Sequence, residues 1–167
     1  MMNKYKAKGA WVNTDTLDVI TRNEAVSLPK KDNNLTFFSS RAELETYKVL
    51  RRYFSKEAIK IHQNVVISNY VRFPFKLTWN IDFWVEEDDR VQLIIETKGL
   101  VLEVLKYQLA LFAASHPVEW ERKFYLVFPR VPTGKGKLML ALKQQNKILT
   151  LKGLEKMLEA KFGTDFI

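Results

Sequence analysis

The sequence predicts an α/β domain, a central mixed β-sheet with helices on both faces, and three observations carry that reading. Residues 79–99 (WNIDFWVEEDDRVQLIIETKG) alternate apolar and polar positions in two runs, the period of paired strands. Leu44, Tyr47, Leu50 and Phe54 recur at helical spacing upstream, and residues 100–115 are apolar enough for a helix that packs across a sheet. Phe124, Tyr125, Leu126, Val127 and Phe128 then read as a short buried strand beside the second run, reached by a crossover helix.

Taken in order, the chain begins with short apolar patches at Trp11-Val12 and Val19-Ile20. A Pro29-Lys30-Lys31-Asp32-Asn33-Asn34 turn is expected to join Val26-Ser27-Leu28 to Leu35-Thr36-Phe37-Phe38 as a hairpin, or to form a basic arm. Ser39 or Ser40 caps the following helix, whose first turn carries Glu43, an acid the helix dipole favours there. His62, Gln63, Asn64, Val65, Val66 and Ile67 form a strand. In the central stretch Trp79, Ile81, Phe83 and Val85 line one strand, and Val91, Leu93, Ile95 and Thr97 line the next. The charged Glu86, Glu87, Asp88, Asp89 and Arg90 between them make the turn. Arg130, Pro132, Thr133, Gly134, Lys135, Gly136 and Lys137 form a basic loop, and residues 138–145 and 151–162 are helices, the second capped by Thr150.

At 167 residues and 47% hydrophobic content the chain suits one globular domain with a real core. It divides into an N-terminal hairpin or arm (1–38), a core (39–128) and a basic C-terminal part (129–167). A net charge of +8 and a pI near 9.6 point to a polyanionic partner. Lys30, Lys31, Arg41, Lys135 and Lys137 are the phosphate contacts expected first, with Lys143, Lys147, Lys152, Lys156 and Lys161 as a further basic face. The absence of cysteine excludes disulfides and thiolate zinc sites. No apolar run reaches membrane-spanning length and the early-charged start is no signal peptide, so a cytoplasmic protein without a membrane partner is expected. The Gly-Lys-Gly-Lys stretch departs from the phosphate-loop pattern. His62 and His116 have no ligand at metal spacing along the chain and read as structural or surface residues.

The chemistry concentrates in the central hairpin. Strand geometry puts Glu96 and Lys98 on one face, roughly 6 to 7 Å apart, and the neighbouring strand brings Asp82 beside Glu96. Ile81, Phe83, Ile94 and Ile95 adjoin these charges, and charge in strands apolar on both faces requires a partner. Two converging carboxylates recruit a hard cation, Mg2+ or Mn2+. The Lys98 ammonium then holds the attacking water or steadies transition-state charge.

The spacing of Asp82, Glu96 and Lys98, written D-x13-E-x-K, resembles the PD-(D/E)XK nuclease superfamily, with Glu96-Thr97-Lys98 as its E-x-K element and Ile81 where the motif has proline. The upstream Phe38-Ser39-Ser40-Arg41-Ala42-Glu43 start, followed by a helix and a Gln-bearing strand, is similar to the front half of TnsA-type transposase endonucleases and of small phage endonucleases that include Holliday-junction resolvases. The resemblance covers residues 35–117. It implies a restriction-endonuclease-like core and a Mg2+- or Mn2+-dependent DNA endonuclease, structure-selective in the manner of a junction resolvase. A TnsA-like transposase subunit and a non-cleaving nucleic-acid-binding module of the same fold are the alternatives. It further implies that Asp82, Glu96 and the Thr97 carbonyl hold the metal, that Glu43 completes the site and that Lys98 serves the nucleophilic water. Gln63 is implied to orient Glu43 or Lys98, and Gln108 on the next helix to contact the lysine, the water or the DNA backbone. DNA, a second copy of the chain and a protein partner in a recombination or transposition complex are the implied partners, in a bacterial or phage-infected cell.

Overall fold

Asn13 turns the chain back on itself at its first hairpin: its side-chain oxygen accepts the backbone N–H groups of Asp15 and Thr16, at 2.9 and 3.3 Å. That turn joins β1 (Ala10–Asn13) to β2 (Val19–Ile20) in this computed structural model, which describes residues 9–27, 34–68, 75–99, 103–133 and 136–163. Thr21 and Glu24 then cap a helix reciprocally. The Thr21 N–H donates to Glu24 Oε2 at 2.6 Å and the Glu24 N–H to Thr21 Oγ1 at 3.2 Å, and α1 (Arg22–Ser27) follows. Val26 and Ser27 are therefore helical, which corrects the expected hairpin. The antiparallel partner of β3 (Leu35–Phe38) is β1, and the three short strands form a sheet in the order β2-β1-β3. The turn at 29–33, with Lys30 and Lys31, lies outside the described residues.

Ser40 is the cap of α2 (Arg41–Leu50), its hydroxyl accepting the Glu43 N–H at 3.2 Å. The main sheet then starts with β4 (Ile59–Val66), β5 (Thr78–Glu87) and β6 (Arg90–Thr97). β4 begins three residues before the expected strand, so His62 stands within the strand and not at its start. Glu87 and Arg90 still pair, leaving Asp88 and Asp89 as a two-residue turn with φ of 49° and 57°. Aspartate tolerates these left-handed angles, and their twist matches that of the flanking strands.

After α3 (Glu103–Ser115), Pro117 opens a further short helix, α4 (Pro117–Arg122), where the sequence reading had only a helix end. β7 (Phe124–Phe128) returns beside β6 in parallel, as expected from a crossover. α5 (Lys137–Gln144) is capped by Gln145 and followed by Asn146, whose φ is 54°, with the N–H of Asn146 on the Lys143 carbonyl and that of Lys147 on the Leu142 carbonyl. β8 (Ile148–Thr150) was not anticipated. It pairs in parallel with β7 and runs directly into α6 (Leu151–Phe162), which Thr150 caps through the Gly153 N–H.

The five-stranded sheet has the order β4-β5-β6-β7-β8, antiparallel from β4 to β6 and parallel from β6 to β8. The protein is thus an α/β fold with a central mixed sheet flanked by helices. On one side Leu44, Tyr47 and Leu50 of α2 and Leu154 and Leu158 of α6 pack on Phe83, Val85 and Ile95, joined by Val12 and Phe38 from the small sheet. On the other, Leu105, Leu109 and Phe112 of α3 and Met139 and Leu142 of α5 pack on Trp79, Ile81, Ile94 and Phe124. Among the described residues no helix is long and apolar enough to cross a membrane.

Lys147 departs from its expected place on a basic face. It is 4% exposed, its Nζ donates to the carbonyls of Trp120 and Glu121 at the end of α4, and it lies over the Trp120 and Tyr125 rings. The turn at Asn146 swings it inward, and burial holds its pKa below the usual lysine range.

Candidate metal centre

The β5/β6 ladder runs from Glu87/Arg90 to Phe83/Ile95 and stops there. Beyond it side chains replace the ladder. The Asp82 N–H donates to Glu96 Oε2 at 3.2 Å, and the Thr97 N–H donates to Asp82 Oδ2 at 2.7 Å, seconded by the Thr97 hydroxyl. Buried N–H groups left without partners are costly, and here each carboxylate satisfies one on the opposite strand. β7 secures the other edge, with Thr97 in register with Val127 and the Lys98 N–H on the Val127 carbonyl at 2.9 Å. Lys98 Nζ pairs with Glu96 Oε1.

Both oxygens of Glu96 are thereby engaged, whereas Asp82 uses only Oδ2 among the described residues. Glu96 is 2% exposed. Burial, together with the Asp82 charge, pushes its pKa up to about 7 against the pull of Lys98. Burial raises Asp82 as well, opposed by its bonds from Thr97.

Glu43 enters from the first turn of α2. Ser39 gives it a backbone N–H at 3.0 Å and a hydroxyl at 2.5 Å, and the Ser40 hydroxyl lies at 3.0 Å. Its burial would raise the pKa, but His62 and the two serines outweigh that and hold the carboxyl below its ordinary value. His62 Nε2 stands 3.6 Å from Glu43 Oε2, and Glu43 raises the imidazole pKa despite partial burial.

The backbone explains how His62 arrives there. β4 and β5 pair at Ile61↔Phe83 and Gln63↔Ile81, which puts His62 opposite Asp82, yet His62 has φ of 53° in the middle of an antiparallel strand. For a side chain with a Cβ that conformation costs about 1–2 kcal/mol. Its effect extends along both strands. Ile59 and Ile61 pack on the α2 side while Val65 packs on the α3 side; Phe83 and Val85 lie on the α2 side while Trp79 and Ile81 lie on the α3 side. Same-parity residues of a regular strand share a face, so both strands change sides at the His62/Asp82 position. There the ligand atoms of Glu43, His62 and Asp82 all come within 4.8 Å of one another, a set that does not include Glu96.

No family model, curated protein or solved structure matches this chain. The structure brings together Glu43, Asp82, Glu96 and Lys98, with Thr97 bonded to Asp82. It adds His62, which the sequence reading set aside because no ligand lay near it along the chain. Gln63 and Gln108 are half-buried and make no hydrogen bond to these residues among those described. Arg41 is exposed at the start of α2 and lines a cavity of about 230 Å³ with Ala42, Thr46, Val127 and Phe128. Since Val127 is the register partner of Thr97, Arg41 borders the same end of the sheet as Lys98. Lys137 is exposed at the start of α5, and Lys135 lies outside the described residues.

Two carboxylates and an imidazole are donors of the kind divalent cations accept. Asp82 retains an oxygen that no described group occupies, and ligand atoms of Glu43 and His62 lie within 4.8 Å of one of Asp82, from two other elements.

Proposed function

We propose that this chain is a metal-dependent nuclease that hydrolyses DNA phosphodiester bonds, built on a restriction-endonuclease-like core and selective for branched DNA such as a four-way junction. The observation that carries the reading is the interlocked Asp82, Glu96 and Lys98 at the fork of β5 and β6, with Glu43 delivered to it from α2. The succession α2, β4, β5, β6 and α3 keeps the order of helix glutamate, Gln strand, Asp strand, E-x-K strand and helix that the resemblance implies.

In this reading Asp82, Glu43, Glu96 and the Thr97 carbonyl are the groups available to hold Mg2+ or Mn2+. A bound cation would supply positive charge to a phosphate oxygen. The chain supplies the rest. Asp82 is oriented by two Thr97 donors before any ligand arrives, and Glu43 by Ser39 and Ser40, so neither has to reorganise. Lys98, seated on Glu96, positions the attacking water and compensates the charge of the buried carboxylate pair. Water oxygen bonds to phosphorus as the phosphorus–oxygen bond to the leaving sugar breaks, and the proton released by the water passes to the leaving group or to solvent. The net charge of +8, with Arg41 and Lys137 exposed, supports a polyanionic substrate.

The test is incubation of the protein with linear, flapped, single-stranded and four-way DNA, with and without Mg2+ or Mn2+. Metal-dependent cutting that Asp82→Asn abolishes supports the reading. Tight binding with no cutting under any metal assigns the chain to the non-cleaving modules.

A further inference from the structure

We propose that His62 is a nitrogen ligand to the bound cation and makes this centre prefer a first-row transition cation, with Mn2+ as the probe, over Mg2+. The inference rests on the metal-dependent reading for the existence of the centre, and it does not require that DNA be the substrate.

Two independent features of the structure lead to it. The first is backbone. His62 occupies a left-handed conformation within β4, with regular pairs on either side of it at Ile61↔Phe83 and Gln63↔Ile81. A residue other than glycine persists in that region only where the surrounding structure over-determines it. The second is convergence. The imidazole, Glu43 and Asp82 offer ligand atoms within 4.8 Å of one another, from β4, α2 and β5. Glu96, the carboxylate expected from the motif to share the metal, is not part of this converging set; its oxygens, like those of Glu43, accept hydrogen bonds from neighbours at the site.

Coordination chemistry then separates the cations. Mg2+ takes oxygen ligands in near-ideal octahedral geometry and gives up its waters reluctantly, so an imidazole adds little to its binding. Transition cations accept imidazole nitrogen readily alongside carboxylates. The bland alternative is an ion pair in which His62 serves only to hold Glu43, and the two readings differ in what Mn2+ touches.

The experiment uses the full chain freed of metal. Mn2+ and Mg2+ binding are measured by calorimetry, and bound Mn2+ is examined by pulsed electron paramagnetic resonance for nitrogen coupling. Wild type is compared with His62→Asn, since asparagine tolerates left-handed backbone while lacking the imidazole. Expected are tighter binding of Mn2+ than of Mg2+, nitrogen coupling in wild type, and loss of both in the variant. Mn2+ affinity should fall about 10- to 100-fold there, a loss of the size seen when the ligand environment of a metal is disrupted, with Mg2+ affinity nearly unchanged. Equal affinities in wild type, or Mn2+ bound without nitrogen coupling, would overturn the proposal. The wild-type spectrum decides the matter even if the variant fails to fold, because the other histidine, His116, is bonded to the Val66 carbonyl and stacked on Phe112. Nitrogen-coupled Mn2+ in a protein that cuts no DNA leaves this inference standing and removes the nuclease reading; DNA cutting with no nitrogen coupling does the reverse.

Discussion

Asp82 donates its backbone N–H to the Glu96 carboxylate, while its own carboxylate takes the N–H of the residue after Glu96. The two acids thus close the sheet where the ladder forks, and any substitution tests structure and chemistry together. Asp82→Asn and Glu96→Gln keep an acceptor oxygen for those N–H groups, so both variants should fold while losing metal-dependent cleavage. Alanine at either position should cost a further ~1–3 kcal/mol of stability by leaving a buried N–H unpaired. Denaturant unfolding beside cleavage assays separates the two effects, and an Asp82→Asn protein that cuts at the wild-type rate would remove Asp82 from the site.

Lys98→Ala should slow cleavage by roughly 10²- to 10⁴-fold, the range for a lost proton-transfer or electrostatic group. Metal affinity should change far less, because Lys98 is not itself a metal ligand and, among the groups that would hold the cation, its side chain bonds to Glu96. If the variant instead lost its metal and kept its rate per bound cation, Lys98 would be a scaffold for the metal.

Without metal, stability should decline as pH rises from about 4.5 to about 7, and further as His62 loses its proton. Glu96 binds its proton up to about pH 7 when folded but releases it near 4.5 when unfolded. Unfolding therefore releases a proton across that window and loses roughly 3 kcal/mol of opposition as pH rises through it. Asp82, also raised, acts in the same direction from its usual range upward. His62 does likewise: its raised pKa contributes stability below about 6.5 that is lost as pH climbs through the folded value. Glu43 is lowered, so its contribution appears above its ordinary value and is lost only in acid. Melting temperatures of metal-free wild type and Glu96→Gln across this range check the prediction; a variant with the same slope as wild type would show that the charge on Glu96 is not its source.

Lys147→Met should destabilise the protein by ~1–3 kcal/mol, since it preserves most of the packing but strips the donor from the Trp120 and Glu121 carbonyls. It should leave DNA affinity and its salt dependence unchanged. Arg41→Ala and Lys137→Ala, both at exposed positions, should each lower the salt slope of DNA binding by about one unit per lost phosphate contact. Titrations at several ionic strengths measure this, and a slope that moves with Lys147 but not with Arg41 or Lys137 would contradict the burial of Lys147.

The central hairpin was legible because alternation over two long runs leaves few other readings, and Glu43 because serine caps have a local signature. His62 was not. Its contribution depends on one left-handed residue and on a strand register that places it opposite Asp82, and neither is written in neighbouring residues. β8 escaped because three residues are too few to show a period. The first helix does have a local signature: Thr21-Arg22-Asn23-Glu24 has the T-x-x-E form of a capping box, although the apolar Val26 and Leu28 also fit the alternation of a strand. Lys147 looked like its exposed neighbours because the turn that buries it follows from Asn146, not from its own chemistry.

β4 is also the outermost strand of its sheet, with no strand on its far side among the described residues. Outer strands offer a row of free backbone groups on which another chain can build, and evenly extended ones are templates for aggregation. The left-handed residue at its midpoint divides that rim into two short pieces. A replacement at His62 that restored extended backbone would relieve local strain and at the same time leave an unbroken eight-residue rim for a second chain to dock on.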